Sequence, residues 1–511
     1  MALARTLAIG LTGMDGQVVE VECDISAGLP GLAFTGMADT SVVESRDRVR
    51  AALLNSGARW PDRKLTVALL PADVRKVGAR FDLAVALAVL AADAQVPPDS
   101  VAGAAWISGL GLDGRLRAVS GVLPAVLCAR QQGTRRVVVA QGNAAEAALV
   151  SGIDVRAAEH LAQIVGWLTG DGTPLRPVCA ESAPMDAAGD ARDLADVAGQ
   201  GVAKRALEIA AAGAHHLYFV GSPGAGKTML AERLPGLLPP LDDAASLEVT
   251  AVYSIAGLLD ERARLIRRAP LQAPHHTASV AALVGGGSRL ARPGAISLAH
   301  HGVLFLDEAP EFRTPALDAL REPLESGHVV LHRSGGAVRY PARFQLVLAA
   351  NPCPCGQRPS LCQCPPLVRR RHAHRLSGPL MDRVDLRVEV EPVTQAELFD
   401  PATDRDTSEH VRERVAAARA AARQRWAGTP WQVNAAIPGA LLRSPRWLLP
   451  HPILREAQQH LDRGQLSARG FDRVLRLAWT IADLGGRTAP AAGDVSEALF
   501  YRTGRADLWA A

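Results

Sequence analysis

Eight residues, Gly221-Ser-Pro-Gly-Ala-Gly-Lys-Thr228, constrain this 511-residue chain more than any other stretch. They follow an apolar run, His216-Leu-Tyr-Phe-Val220, and precede a helix-like run, Met229-Leu-Ala-Glu-Arg-Leu234. Strand, glycine-rich turn and helix in that order is the setting a phosphate-binding loop requires. Gly221, Gly224 and Gly226, with Ser222, Pro223 and Ala225 between them, let backbone N–H groups turn inward onto phosphate oxygens. The partial positive charge at a helix start helps them. Lys227 then reaches the β- and γ-phosphates, and Thr228 ligates Mg²⁺. The stretch predicts a nucleotide-binding protein built on an α/β sheet.

The chain is too long for one core, and its length suggests roughly three domains. Of its 56 basic residues only Lys64, Lys76, Lys204 and Lys227 are lysines. The net charge is +4, so no global field marks a nucleic-acid binder and any such surface must be local. No apolar run is long enough to span a membrane. Met1 to Gly13 holds a short apolar run without a convincing cleavage site and leads into Gln17-Val-Val-Glu-Val-Glu22, an alternating strand pattern, so no signal peptide is expected. Seven cysteines, four of them clustered, argue against a disulfide framework and for a reduced cytoplasm.

Residues 1–170 read as a complete α+β domain. Strands are predicted at Val18–Val21, Leu65–Leu70 and Arg136–Ala140, helices near Ser41–Ser56, Phe81–Ala92 and Val122–Gln132, and a hairpin at Gly109–Arg115. Gly109–Arg115, Ala118-Val-Ser-Gly-Val122 and the following helix resemble the proteolytic domain of Lon-type proteases, which works through a serine–lysine dyad. The matching segments here, Ala79-Arg-Phe-Asp-Leu83 and Gly121-Val-Leu-Pro-Ala-Val126, hold neither serine nor lysine. A nucleophile needs its activating base within hydrogen-bond reach, so the domain reads as a non-proteolytic relative serving assembly or docking. Residues 171–192, rich in Pro, Ala, Gly and acids, read as a linker.

Residues 193–393 carry the remaining parts of a nucleotide machine. Val197 and Gln200, just before the loop, are weak candidates for covering a base. Gly302-Val-Leu-Phe-Leu-Asp-Glu308 is a buried strand ending in two acids. After a phosphate-binding loop, Asp307 suits Mg²⁺ and Glu308 suits polarising the attacking water, against the plainer reading of a solvated acidic turn. A third strand, Phe344–Ala350, ends at Asn351, placed to position water near the γ-phosphate. Arg383, in Ser377-Gly-Pro-Leu-Met-Asp-Arg-Val-Asp385, is either a finger reaching a neighbouring subunit's γ-phosphate or a surface salt bridge. Residues 394–511 turn helical, with Ser467-Ala-Arg469 at the head of one helix.

Together, the loop, Asp307-Glu308, Asn351, Arg383 and Arg469 resemble the AAA+ ATPases of the magnesium-chelatase and MCM branch. Ala273-Pro-His-His-Thr-Ala-Ser279, Pro293–His300, Arg321-Glu-Pro-Leu-Glu325 and Asn351-Pro-Cys-Pro-Cys-Gly356 are similar to the magnesium-chelatase-like ComM/YifB family along nearly the whole chain. Where that family carries Asn before the acidic strand, this chain has His301. The resemblance implies an ATP- and Mg²⁺-dependent ring, a homo-hexamer, translocating on single-stranded or branched DNA without reading sequence. The best-known members migrate DNA branches while transforming DNA is integrated. It also implies a parallel-sheet core followed by a helical lid, whose Arg469 contacts the γ-phosphate as the sensor-2 arginine, with Arg473 the runner-up.

Cys353, Cys355, Cys362 and Cys364 form C-x-C-x6-C-x-C, an insertion spanning 353–364. Four thiolates so close suit a structural Zn²⁺ with no open position; the alternative is a set of reduced thiols. Cys23, Cys128 and Cys179 receive no role. Arg369-Arg-Arg-His-Ala-His-Arg375 either lines a DNA channel or is a solvated face. Gly285–Gly287 and Ser334–Gly336 read as loop tips of the kind that enter ring pores. His275 and His276 sit beside no acid with metal spacing and are expected to be ordinary hydrogen-bonded histidines. Three rival readings stay open: a magnesium-chelatase motor subunit, an ATP-dependent protease, and an ATP-binding switch without motor activity.

Overall fold

The strand pattern after residue 17 belongs to a long antiparallel hairpin, β1 (Ala2–Thr12) and β2 (Asp15–Ser26). The computed structural model describes residues 2–36, 39, 42, 44–72, 76–179, 192–287, 291–333, 336–357, 361–399 and 406–504. Most of the expected linker, the tip residues Ser334 and Gly335, residues 358–360 inside the expected cysteine insertion, and residues 400–405 and 505–511 of the expected helical region lie outside the described residues.

β3 (Gly31–Thr35), α1 (Ser45–Asn55), β4 (Lys64–Leu70), α2 (Asp82–Ala92) and β5 (Ala104–Ile107) follow the hairpin. Then come α3 (Val122–Gln131), β6 (Arg136–Ala140), β7 (Asp154–Ala158) and α4 (Leu161–Thr169). The strands make one mixed sheet in the order β3-β4-β2-β1-β5-β6-β7. Its two faces are sealed by helices of different character. α2 is buried along its whole length against Val19, Val21, Leu65 and Trp106, which is why its sequence is apolar all round. α3 covers Ile9, Ile107, Val137 and Val139 on the other face. The first strand escapes sequence reading because its apolar run resembles any buried segment until β2 pairs with it.

The second sheet is purely parallel. Its region contains α5 (Gly201–Gly213), β8 (Leu217–Val220), α6 (Lys227–Ala231), α7 (Asp243–Ala256), β9 (Leu271–Gln272) and β10 (Val303–Leu306). The hairpin β11 (His328–Arg333) and β12 (Gly336–Pro341), then β13 (Gln345–Ala350), α8 (Pro366–Ala373) and β14 (Leu386–Glu389) complete it. Strand order is β9-β10-β13-β8-β14. Every residue of β10 and β13 is buried, as expected for parallel strands covered on both faces. Such sheets bind ligands beyond the carboxyl ends of their strands. The ends of β8, β10 and β13 therefore bring the glycine loop, Asp307 and Asn351 to one edge. α6 is shorter than its helix-like run suggests: it ends at Ala231, and a separate turn, Leu234–Leu237, starts with Pro235 in its first positions.

Four longer helices close the chain: α9 (Ser408–Arg425), α10 (His451–Asp462), α11 (Ala468–Leu484) and α12 (Ala492–Thr503). They share one apolar core with α5 and the parallel sheet, in which Leu207, Leu217 and Val388 meet Val415, Leu475 and Leu499. Trp426, Trp447 and Trp479 stack within it at 4.6–6.2 Å between ring centroids.

The sheets are joined by α7, a helix the sequence pattern did not disclose. Its Ala251 enters the apolar layer under α3. The N–H of Gly121 donates to Ser254 O at 3.0 Å, and the Ser254 hydroxyl donates to the Glu146 carboxylate.

Candidate active site

Gly224 and Gly226 have φ of +78° and +95°, and no atom lies within 4 Å of where a Cβ would stand on either. Conformation rather than space therefore demands glycine at both positions. Lys227 Nζ donates to Gly221 O at 2.8 Å, Ser222 O at 2.9 Å and Asn351 Oδ1 at 3.1 Å. Burial lowers the lysine's pKa while the Asp307 and Glu308 carboxylates oppose the shift. One residue on, Thr228 Oγ1 donates to Asp307 Oδ2 at 2.6 Å. The Glu308 N–H donates to Asp307 Oδ1 at 2.9 Å, fixing both carboxylate oxygens of Asp307.

Glu308 adopts φ +50°, a left-handed conformation that costs a non-glycine residue about 1 kcal/mol or more. Such strain at the head of a buried strand turns the carboxylate out of the strand's line. Its Oε2 lies 3.1 Å from His276 Nδ1, a contact between loops that the sequence spacing does not show. The cause is tertiary: β9 pairs with β10, so the loops that follow these two strands run side by side. His275, in contrast, meets Thr277 Oγ1 at 2.9 Å, an ordinary local bond.

Asn351 is held from below as well, with His372 Nε2 3.1 Å from its backbone oxygen. His372 is therefore the buried member of the basic run, whereas Arg370 and Arg371 on the same helix are exposed. Gln200 donates to Ala225 O at 3.2 Å and to Glu391 O, tying the helix before the glycine loop to the loop itself; Val197 is buried.

Arg383 and Arg469 stand apart from this group. Arg383 donates to Pro379 O at 2.6 Å and pairs with Glu325. Arg469 is 78% exposed and lies 3.7 Å from Asp382. Among the described residues neither touches Lys227, Thr228, Asp307 or Glu308. Arg473 is committed to Asp385, whose carboxyl would be raised by burial but is held well below its ordinary range by Arg473 and His215.

The four clustered cysteines converge, their Sγ atoms all within 4.8 Å of one another. Cys362 Sγ is 3.4 Å from Cys353 Sγ and 3.6 Å from Cys355 Sγ. A second convergence escaped sequence reading. His300 Nε2 and His301 Nε2 both meet Glu248 Oε2, at 3.0 and 3.1 Å. His300 Nδ1 accepts the Arg343 N–H at 3.0 Å, so its Nε2 carries the proton and donates to Glu248. That tautomer leaves no lone pair on Nε2 for a metal.

Known proteins match this sequence along nearly the full chain. Residues 193–398 match the family profile of magnesium chelatase, subunit ChlI; residues 21–143 match subunit ChlI of Mg-chelatase; and 405–502 match the ChlI C-terminal profile. An uncharacterised protein of Mycobacterium tuberculosis is 52% identical over 98% of this chain and 99% of its own length. Competence protein ComM of Haemophilus influenzae is 40% identical, covering 98% of both chains. The uncharacterised YifB of Escherichia coli is also 40% identical, over 98% of this chain and 97% of its own. The chain belongs to the magnesium-chelatase-like ComM/YifB family.

Membership brings AAA+ chemistry, with ATP and Mg²⁺ as its ligands, and the residues present fit them. The glycine conformations open the loop, a lysine stands at its base, and a hydroxyl and a carboxylate already face each other where a divalent cation needs oxygen ligands.

Proposed function

We propose that the chain is an ATP-hydrolysing AAA+ motor that assembles as a homo-hexameric ring and translocates on single-stranded or branched DNA. The observation that carries this reading is the joining of Lys227 to Asn351 and of Thr228 to Asp307, with Glu308 half exposed beside them. Backbone N–H groups of Gly221–Thr228 and the Lys227 ammonium would bind the phosphates. Thr228 and Asp307 would hold Mg²⁺, which neutralises charge on the β- and γ-oxygens when bound. Glu308 accepts a proton from the attacking water, and Asn351 orients that water. Arg383, tied to Glu325 within its own chain, would act in trans on a neighbour's nucleotide, and exposed Arg469 would act from the helical lid.

In this reading residues 1–170 are a Lon-like domain without its dyad, 171–192 a linker, 193–393 the ATPase core and 394–511 the lid. Arg370, Arg371 and the β11–β12 hairpin are the groups offered to DNA phosphates, a contact that depends on charge and not on sequence. Cys353, Cys355, Cys362 and Cys364 hold a structural Zn²⁺. The setting is the cytoplasm, and the role is DNA recombination or uptake, in line with the name of the Haemophilus relative.

The alternative is a chelatase motor subunit, whose named relatives are less similar and match less of the chain, 60% of it at 28% identity for the magnesium-chelatase 67 kDa subunit of Heliobacterium mobile. The magnesium-chelatase 38 kDa subunit of Cereibacter sphaeroides is 26% identical over 40% of the chain. The deciding experiment is the ATPase rate with and without single-stranded and forked DNA at low and moderate salt. DNA stimulation that fades as salt rises is the expected result. A rate indifferent to DNA would remove the DNA motor and favour the chelatase or switch readings.

A further inference from the structure

The loop after β13 leaves the nucleotide site and comes back to it. At its start Asn351 Oδ1 accepts from Lys227. Two residues on, Cys353 is buried, and its carbonyl accepts the Gly356 N–H at 2.9 Å. Gly356 then turns at φ +70° with its Cα against Pro223 of the glycine loop; a Cβ there would stand 2.7 Å from Pro223 Cγ. The cysteine loop therefore touches the phosphate-binding loop at two places, Lys227 and Pro223. Cys353 and Cys355 lie between those contacts in sequence, and Cys362 and Cys364 return to close on them. Apart from Pro352, Cys353 and Gly356, the described residues of this loop are exposed or half-buried, so it has no apolar core to fix it.

We propose that the four cysteines bind one Zn²⁺ and that the bound ion makes this loop a brace for the glycine loop, so that metal occupancy sets nucleotide affinity. The proposal rests on the metal reading of the cysteine cluster given above. Zn–S bonds of about 2.3 Å in a tetrahedron place sulfurs roughly 3.8 Å apart. The 3.4 and 3.6 Å separations here lie close to that spacing and far above a disulfide's ~2.05 Å. Sulfurs so close enclose one ion and leave no room for an iron–sulfur cluster among them. Four thiolates also complete the ion's coordination, so its effect must pass through the conformation of the loop and not through an open coordination site. Binding releases thiol protons and fixes a segment that is otherwise costly to order. What is fixed is the backbone at Cys353 and Gly356, and through it the positions of Asn351 and Pro223. A prearranged glycine loop loses less freedom when it takes up phosphate, which raises affinity without a new contact.

The test uses the full chain. Zinc per chain is measured by mass spectrometry, and affinity for Mg²⁺–ATP is measured in the Glu308→Gln background before chelation, after chelation and after Zn²⁺ is returned. One Zn²⁺ per chain is expected, with affinity about tenfold weaker after removal and restored by readdition. Cys364→Ser should lose both metal and affinity. Gly356→Ala should keep the metal yet weaken nucleotide binding by pushing Pro223. A chain that takes up no Zn²⁺, or a Cys364→Ser variant that retains it, overturns the metal site. Zinc that can be removed with helicity and ATP affinity unchanged overturns the brace alone. A zinc-loaded chain that binds no ATP overturns the ATPase reading instead.

Discussion

Two glycine turns of this molecule present helices to a sheet, and only one of them leaves a site open. Gly121, at φ +77°, precedes α3 in the first sheet region; Gly226, at φ +95°, precedes α6 in the second. Around Gly121 most polar groups are bound to one another and to the backbone, Arg80 Nη1 excepted. Arg80 donates to Ser120 O at 2.9 Å, and Arg48 grips both oxygens of Asp82. Glu146 takes the Leu123 N–H at 2.9 Å, the Asn143 amide at 3.2 Å and the Ser254 hydroxyl. Around Gly226 the groups face an open edge: Glu308 is half exposed, and Asp307 is held by the Thr228 hydroxyl and the Glu308 N–H. A ligand can replace the partners of the second set; the first set would have to unfold its own framework. Buried charge marks chemistry only where the partners are exchangeable.

The sharpest way to break this contrast is at Arg383. Arg383→Ala should lower ATP turnover by about 10³-fold or more while ATP binding persists, as for an arginine acting in trans. Mixing it with Lys227→Ala protein should restore part of the activity, read as a rate above the sum of the two alone. No rescue would return Arg383 to a surface ion pair with Glu325. Next in size, Glu308→Gln should cost about 10²- to 10⁴-fold in turnover with ATP affinity retained, measured by steady-state hydrolysis beside equilibrium binding. Retained turnover would move the general base elsewhere.

Local signals made the second site legible. The glycine loop lies between strand and helix, Asp307 and Asn351 each end an apolar run, and a parallel sheet necessarily brings such strand ends to one edge. What pairing across the sheet created stayed hidden. His276 reaches Glu308 because β9 lies beside β10, and Glu248 reaches His300 and His301 because α7 packs against the segments before β10, Arg292–Pro293 and Ala295–Leu298. α7 itself, Asp-Ala-Ala-Ser-Leu-Glu-Val-Thr-Ala-Val-Tyr-Ser-Ile-Ala, mixes small, polar and apolar residues because it is buried by two different partners at once. β1 is hidden for a related reason: its identity as a strand depends on β2 and β5, not on its own alternation.

On the first region's side, the expected effects fall on stability. Glu146→Ala strips the Leu123 N–H, the Asn143 amide and the Ser254 hydroxyl of one shared acceptor. Unpaired buried groups cost about 1–3 kcal/mol each, so unfolding by urea should show a loss of about 3 kcal/mol, with ATP affinity unchanged. A variant as stable as the parent would mean that these groups do not hold the framework together.

The smallest effect separates two buried aspartates, one in each region, by the sign of their pH dependence. Burial pushes the Asp82 carboxyl up to about 6, more than Arg48 pulls it down. A carboxyl raised in the folded state contributes stability below its unfolded pKa of about 4 and loses it as pH rises through about 6. Asp385 is also buried, yet Arg473 and His215 hold it well below its ordinary range, so its contribution is present at neutral pH and is lost only in acid. Between pH 5 and 7, Asp82 should therefore remove about 1 kcal/mol from the parent protein, and Asp82→Asn should flatten that part of the stability curve. Asp385→Asn should leave it in place and instead lower stability at pH 7. If Asp82→Asn leaves the slope between pH 5 and 7 unchanged, Arg48 offsets the burial of Asp82, and the two aspartates are alike.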